Sequence, residues 1–197
     1  MITIDASKLK EVEDRLGQYR KKAPVVLYRA INRAASNLKT NAAKEVRSTY
    51  VIKAGEIKST MTISRATSKR IAAAVVSRGN ALGLEKFSIR PAQPRPGKPP
   101  KSLKVQVRKD KSMKDLLSAF VANVQGNRVF ERAKGRTKRR KRSDGQWTEL
   151  PITRLFGPPV PIMLENEGVR SRLEAEAAKV FEKRLEHEIK RVLEGNG

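Results

Sequence analysis

The strongest chemical signal in this 197-residue chain is a run of cations. From Arg132 to Arg142 the sequence reads Arg-Ala-Lys-Gly-Arg-Thr-Lys-Arg-Arg-Lys-Arg. Eight of these eleven side chains are cationic (Arg132, Lys134, Arg136, Lys138, Arg139, Arg140, Lys141 and Arg142), and none is acidic. Such a run repels itself and cannot enter a core, so solvent or a polyanion must neutralise it. A looser set passes through Lys86, Arg90, Arg95, Lys98, Lys101, Lys104, Arg108, Lys109, Lys111 and Lys114. With a formal net charge of +24, the obvious polyanion is nucleic acid, whose duplex carries one negative charge per about 1.7 Å of axis.

Groups suited to catalysis are scarce. His187 is the only histidine and lies between Glu186 and Glu188 in a charged, helical stretch, where solvent exposure is the expected state. Cysteine is absent, which excludes disulfides and thiolate metal sites, and one histidine cannot build a conventional zinc site. The stretch Gly79-Asn80-Ala81-Leu82-Gly83 lacks the spacing and the lysine of a phosphate loop. Asp110, Asp115 and Asp144 lie among cations and form no recognisable metal pair. The residues therefore point to a non-enzymatic protein without a cofactor. Phe87, Phe120, Phe130 and Trp147 are dispersed, so a platform for stacking bases is not expected either. What remains is attraction to a phosphate backbone without base readout.

The elements that must carry these charges follow from periodicity. Asp5 or Ser7 can cap a helix with Leu9, Val12, Leu16 and Tyr19 on one face. Pro24 suits the first turn of a second, long helix to about Thr49, striped by Leu27, Ile31, Ala34, Ala35, Leu38, Ala42 and Val46. Strands are expected at 61–66 and 70–77 as a hairpin, at 103–108, at 119–124 and 128–131 around Gln125-Gly126-Asn127, and at 152–156. Two proline-rich stretches, Pro91 to Pro100 and Gly157 to Met163, interrupt them. A terminal helix then carries Val169, Leu173, Ala177, Val180, Phe181, Leu185, Ile189 and Val192 on one face and stops at Gly195.

The expected fold is thus α+β. N-terminal helices (8–50) and a long C-terminal helix (169–194) pack on a mostly antiparallel sheet with long basic loops (51–164), all within one domain spanning 1–197. No apolar run reaches the roughly 18 to 20 residues that span a bilayer. The N-terminus lacks the charged and apolar regions of a signal peptide, so a soluble protein with no membrane partner is expected.

Several segments, in order, carry a family resemblance. They are Ala30-Ile31-Asn32-Arg33-Ala34-Ala35, Tyr50-Val51-Ile52-Lys53 with Glu56-Ile57-Lys58, and Phe87-Ser88-Ile89-Arg90-Pro91 with Val105-Gln106-Val107. Phe130-Glu131-Arg132 and Gly157-Pro158-Pro159-Val160-Pro161-Ile162-Met163 complete the series before the last helix. Together they resemble the minor tail protein Z family of long-tailed bacteriophages and prophages, also called tail completion proteins.

The resemblance implies a structural virion protein of the tail and neck, assembled in the host cytoplasm. It would complete the head-proximal end of the tail and join it to the neck as a hexameric ring around the channel for double-stranded DNA. Its neighbours would be the tail terminator and neck or connector proteins. In such a ring the eight cations from Arg132 to Arg142 would face DNA or an acidic partner. Val169, Leu173, Val180, Phe181, Leu185 and Ile189 would supply oligomer or neck contacts, since the helical stripes exceed what a small sheet covers. The alternative is a cellular nucleic-acid-binding protein acting through phosphate-backbone contacts, for which the charge alone would suffice.

Overall fold

The computed structural model describes residues 2–4 (backbone), 8–95, 102–132, 145 and 152–195. Asp5, Ser7, Trp147, the end of the first proline-rich stretch and the cations from Lys134 to Arg142 lie outside the described residues. The chain divides into two compact units. The first comprises Met1–Ser48, Ala54–Gly79 and Val160–Gly197, and the second Thr49–Lys53 and Asn80–Pro159.

In the first unit, α1 (Leu9–Leu16) buries Val12 and Leu16. The helix ends sooner than its apolar spacing predicts. Gly17 takes a positive φ of 51°, a conformation that other residues rarely adopt. The chain then tightens into a 3-10 turn over Gly17–Lys22, leaving Tyr19 37% exposed rather than in the core. α2 (Ala23–Thr49) follows, with Pro24 in its first turn, where a missing amide costs nothing. Its buried face alternates bulk and alanine, from Leu27 and Ile31 through Ala34, Ala35, Leu38 and Ala42 to Val46.

A short α3 (Ala54–Lys58) leads into a hairpin of β2 (Met61–Ser64) and β3 (Ala73–Ser77), in which Ile63 stands opposite Val75. The N-terminal β1 (Ile2–Ile4) pairs with the other edge of β3, giving the antiparallel order β1-β3-β2.

The second proline-rich stretch does not stay irregular. It forms α4 (Val160–Glu165), with Pro161 in the first turn and Val160 and Met163 fully buried. α5 (Glu167–Leu193) begins at Asn166, whose carbonyl accepts from the amides of Val169 and Arg170, and ends at Gly195 with φ 77°. Charged pairs line its flanks. Lys8 donates to Glu182 at 2.5 Å, and Arg15 grips Glu186 with both Nη atoms at 2.6 Å. Arg172 reaches Glu45 of α2 at 2.6 Å.

All strand pairs of the second unit are also antiparallel. β4 (Leu82–Gly83) pairs with β11 (Phe156–Gly157). β5 (Ser88–Arg90), β6 (Ser102–Gln106) and β7 (Lys114–Leu117) form one three-stranded sheet. β8 (Ala119–Asn123), β9 (Asn127–Arg132) and β10 (Ile152–Arg154) form another. The turn joining β8 to β9 needs positive φ at Gln125 (53°) and Gly126 (98°), and the Asn123 side chain accepts from the Gly126 amide at 3.2 Å. Leu84, Phe87, Leu103, Val105, Val121, Val129 and Phe130 make this unit's core. The α+β class holds, and the described residues form four small antiparallel sheets where one was expected.

Candidate nucleic-acid interface

Cations gather on the solvent face of the β5-β6-β7 sheet. Alternation along β6 sends Leu103 and Val105 into the core and Lys104 outward. The register sets Arg90 of β5 directly opposite Lys104, and Lys104 opposite Asp115 of β7. Like charges directly opposed across a sheet are unfavourable. Asp115 relieves Lys104 only in part, because one of its oxygens also accepts from the Ser102 hydroxyl at 2.8 Å. Two cations, Arg90 and Lys104, thus share the one carboxylate of this row.

Not every cation of the looser set is available. Arg108 is committed to Asp110, donating from Nε at 2.9 Å and Nη2 at 2.7 Å, and its guanidinium stands 5.8 Å from the centre of the Tyr50 ring. That double hydrogen bond holds the Asp110 carboxyl below its ordinary range. Lys98 and Lys101 lie outside the described residues.

Arg132, the first cation of the run, is placed. It ends β9 with its guanidinium 5.6 Å from the ring of Phe120, which itself stands opposite Phe130 in the hairpin. This first cation is therefore held at the end of the strand by a ring contact. The remaining cations of the run, Lys134, Arg136, Lys138, Arg139, Arg140, Lys141 and Arg142, lie outside the described residues.

An apolar recess, which the sequence reading missed, opens in the same unit. Tyr50, Leu84, Val105, Val107, Leu116 and Phe156 wall a space of about 510 Å³, with Arg108, Lys111 and Lys114 along it. Phe156 is 52% exposed. The alternation in 103–107 was the visible signal, but the opposing wall comes from residues remote in sequence.

The apolar face of α5 sits elsewhere, in the first unit. Val169, Leu173, Phe181, Leu185 and Ile189 are all buried within the single chain, and Val180 is half-buried. The stripe looks surplus in the sequence because nothing there reveals that α1 and α4 pack against α5. A subunit contact through the five buried positions would require α5 to leave its own core. The large apolar side chains of the first unit that do face solvent include Ile162 at 54% and Leu193 at 51% exposure.

Among the described residues no group of three or more His, Asp or Glu side chains could hold a metal ion, and no helix is long and apolar enough to cross a membrane. His187 is exposed on α5. Fold and surface together define an α+β protein whose chemistry is that of cationic surfaces. The chain belongs to the prophage minor tail protein Z (GPZ) family, whose model matches residues 9–194. It is thus a structural protein of a phage tail. Neither the curated proteins nor the solved structures gave a match.

Proposed function

We propose that this chain completes the head-proximal end of the tail and joins it to the neck, as one subunit of a sixfold ring around the DNA channel. The observation that carries the reading is the charge imbalance of a tail protein. With 44 lysines and arginines against 20 carboxylates, the cations outnumber the carboxylates by 24, and a packaged duplex is the polyanion nearest at hand. Six copies at +24 each would bring roughly +144 of formal charge around the channel before counterions. The attraction would be nonspecific and would weaken with salt. Arg132 and the cations that follow it, together with the Arg90–Lys104 face, would meet DNA or an acidic neck surface.

Two measurements test this. Class averages of isolated tails should show a sixfold ring of this protein at the head-proximal end. A protein that stays monomeric and never enters particles would overturn the reading. Replacing Lys138, Arg139, Arg140, Lys141 and Arg142 by Ser should leave folding intact, since changes of this kind away from a core cost under about 0.5 kcal/mol each. Tail joining or DNA retention should fall, and normal infectivity would remove the run from the mechanism.

A further inference from the structure

A second cationic site lies in the first unit, outside the stretch of sequence where charge is concentrated. One face of α2 presents Tyr28, Arg29, Asn32, Arg33 and Ser36, a spacing that brings all five to the same side of a helix. Arg65, just beyond β2, and Glu188 and Arg191 of α5 complete a cleft of about 520 Å³. Four guanidinium groups therefore border it against one carboxylate.

The position of Arg65 is fixed by a reciprocal tie. Asn32 donates through Nδ2 to the carbonyl of Ala66 at 2.9 Å and accepts from the Ala66 amide at 2.8 Å. Arg70 buttresses the same turn, donating to the carbonyl of Arg65 at 3.2 Å and to the Ser64 hydroxyl at 2.7 Å. The turn after β2 is thereby clamped to α2 with Arg65 beside the cleft.

The charges in the cleft are not balanced. Glu188, only 12% exposed, lies 3.9 Å from Arg29 and 3.7 Å from Arg191, so it is shared between two cations. The Nε of Arg191 is buried and lacks a hydrogen-bond acceptor. Arg33 and Arg65 are exposed and have no carboxylate partner among the described residues.

We propose that this cleft binds the phosphodiester backbone of nucleic acid, with Arg33 and Arg65 as its principal contacts and Arg29 and Arg191 as the supporting field. The lining decides between phosphate and an acidic polypeptide. It contains four guanidinium groups, the hydroxyls of Tyr28 and Ser36, one amide already committed to Ala66 and one carboxylate shared between Arg29 and Arg191; Tyr28 is its one aromatic ring, and it has no aliphatic side chain. Protein partners draw their affinity from apolar and aromatic anchors in pockets. A backbone phosphate needs only cations and donors, and the arginine fork matches its oxygens two at a time. The inference deepens the reading of a DNA-facing tail protein but does not depend on a ring.

The test uses the full chain and a short blunt DNA duplex. Each phosphate contact contributes about 0.9 to the slope of log affinity against log salt. The double variant Arg33→Gln/Arg65→Gln should therefore flatten that slope by about 1.8. Between about 50 and about 200 mM salt the wild type should lose roughly 12-fold more affinity than the variant.

The control, Arg47→Gln/Lys58→Gln, removes the same charge from exposed positions outside the cleft and should leave the slope near that of the wild type. Equal effects from the two doubles, or none from either, would overturn the proposal. Loss of poly-glutamate binding with DNA binding intact would also overturn it, in favour of an acidic polypeptide. If the glutamine pair also lowered thermal stability, Arg33→Lys/Arg65→Lys would decide. That pair keeps the charge and loses the forks, so affinity should fall while the salt slope stays. A monomer that still obeys this pattern would remove the ring and leave the cleft standing.

Discussion

The buried face of α5 gives the sharpest prediction, because one substitution separates a core from a subunit seam. Leu185 is fully buried in the single chain. Replacing it with Ala removes three carbons, worth about 0.8 kcal/mol each, or about 2.4 kcal/mol in transfer free energy. The cavity left behind raises the expected loss to about 3 kcal/mol, within the range of about 2 to 5 for such changes. For a chain of this size each kcal/mol moves the melting temperature by about 2 to 4 °C, so Leu185→Ala should lower it by about 6 to 12 °C. The contrasting change is Leu193→Ser on the same helix. That side chain is 51% exposed, so the cost should stay within about 0.5 kcal/mol.

Differential scanning calorimetry paired with sedimentation velocity reads both quantities. The structure requires Leu185→Ala to melt early at every protein concentration, with no change in association beyond that due to unfolding. A variant that kept its melting temperature while shifting an oligomer to monomer would show the stripe to be an intersubunit seam. The packing described for α5 would then be wrong.

Two further outcomes follow from local geometry. Arg15 holds the Glu186 carboxyl below its ordinary value, chiefly through their double hydrogen bond. A depressed carboxylate stabilises the fold above its unfolded value, near 4.5, and ceases to do so as pH falls through the folded value. Both partners are exposed, so Arg15→Gln should cost no more than about 1 kcal/mol at neutral pH. That gap should close in acid, and urea titrations across the range would reveal it; a gap that persists would exclude this pair as its source. In the second unit, a Cβ on Gly157 would stand 2.7 Å from Cε2 of Phe87, whose ring is buried. Gly157→Ala should therefore destabilise by about 1 to 3 kcal/mol, and a neutral result in thermal melts would mean that the ring moves freely.

The elements with long-range periodicity were the legible ones. The stripe from Leu27 to Val46, with Pro24 as its start, predicts a helix over 24–49 where α2 runs Ala23–Thr49, and that from Val169 to Val192 predicts 169–194 where α5 runs Glu167–Leu193. The hairpin around Gln125-Gly126 could be read because the turn residues stand between two alternating runs. β5, β7 and α4 could not. The two strands are three and four residues long, too short for a period to repeat. α4 hides behind Pro158, Pro159 and Pro161, although a proline in a first turn is compatible with a helix.

The site was less legible than the fold. The run from Arg132 to Arg142 is conspicuous because its charges are adjacent in sequence. The cleft around Arg33 and Arg65 is assembled from α2, the turn after β2 and α5, elements too far apart in sequence for the cluster to show there.

Salt provides an independent check on how this molecule divides its charge between folding and binding. Matched one to one, twenty carboxylates leave an excess of twenty-four of the forty-four lysines and arginines. Their mutual repulsion is long-ranged, and it opposes compactness more strongly in the native state than in the expanded one. Pairs such as Lys8–Glu182 and Arg172–Glu45 act over contact distances and lose only a fraction of about 1 kcal/mol each when screened. Raising ionic strength from about 0.01 to about 0.15 M shortens the Debye length from about 30 Å to about 8 Å. That change removes most of the repulsion and little of the pairing. Thermal stability of the free protein should therefore rise with salt over this range, while affinity for duplex DNA falls. Under the proposed function the two slopes have opposite sign, because the same excess of cations opposes compaction and would attract the duplex. A free protein destabilised by salt in this range would mean that short pairs, not net charge, govern its fold. The excess cations would then no longer be a burden on the fold that a polyanion relieves.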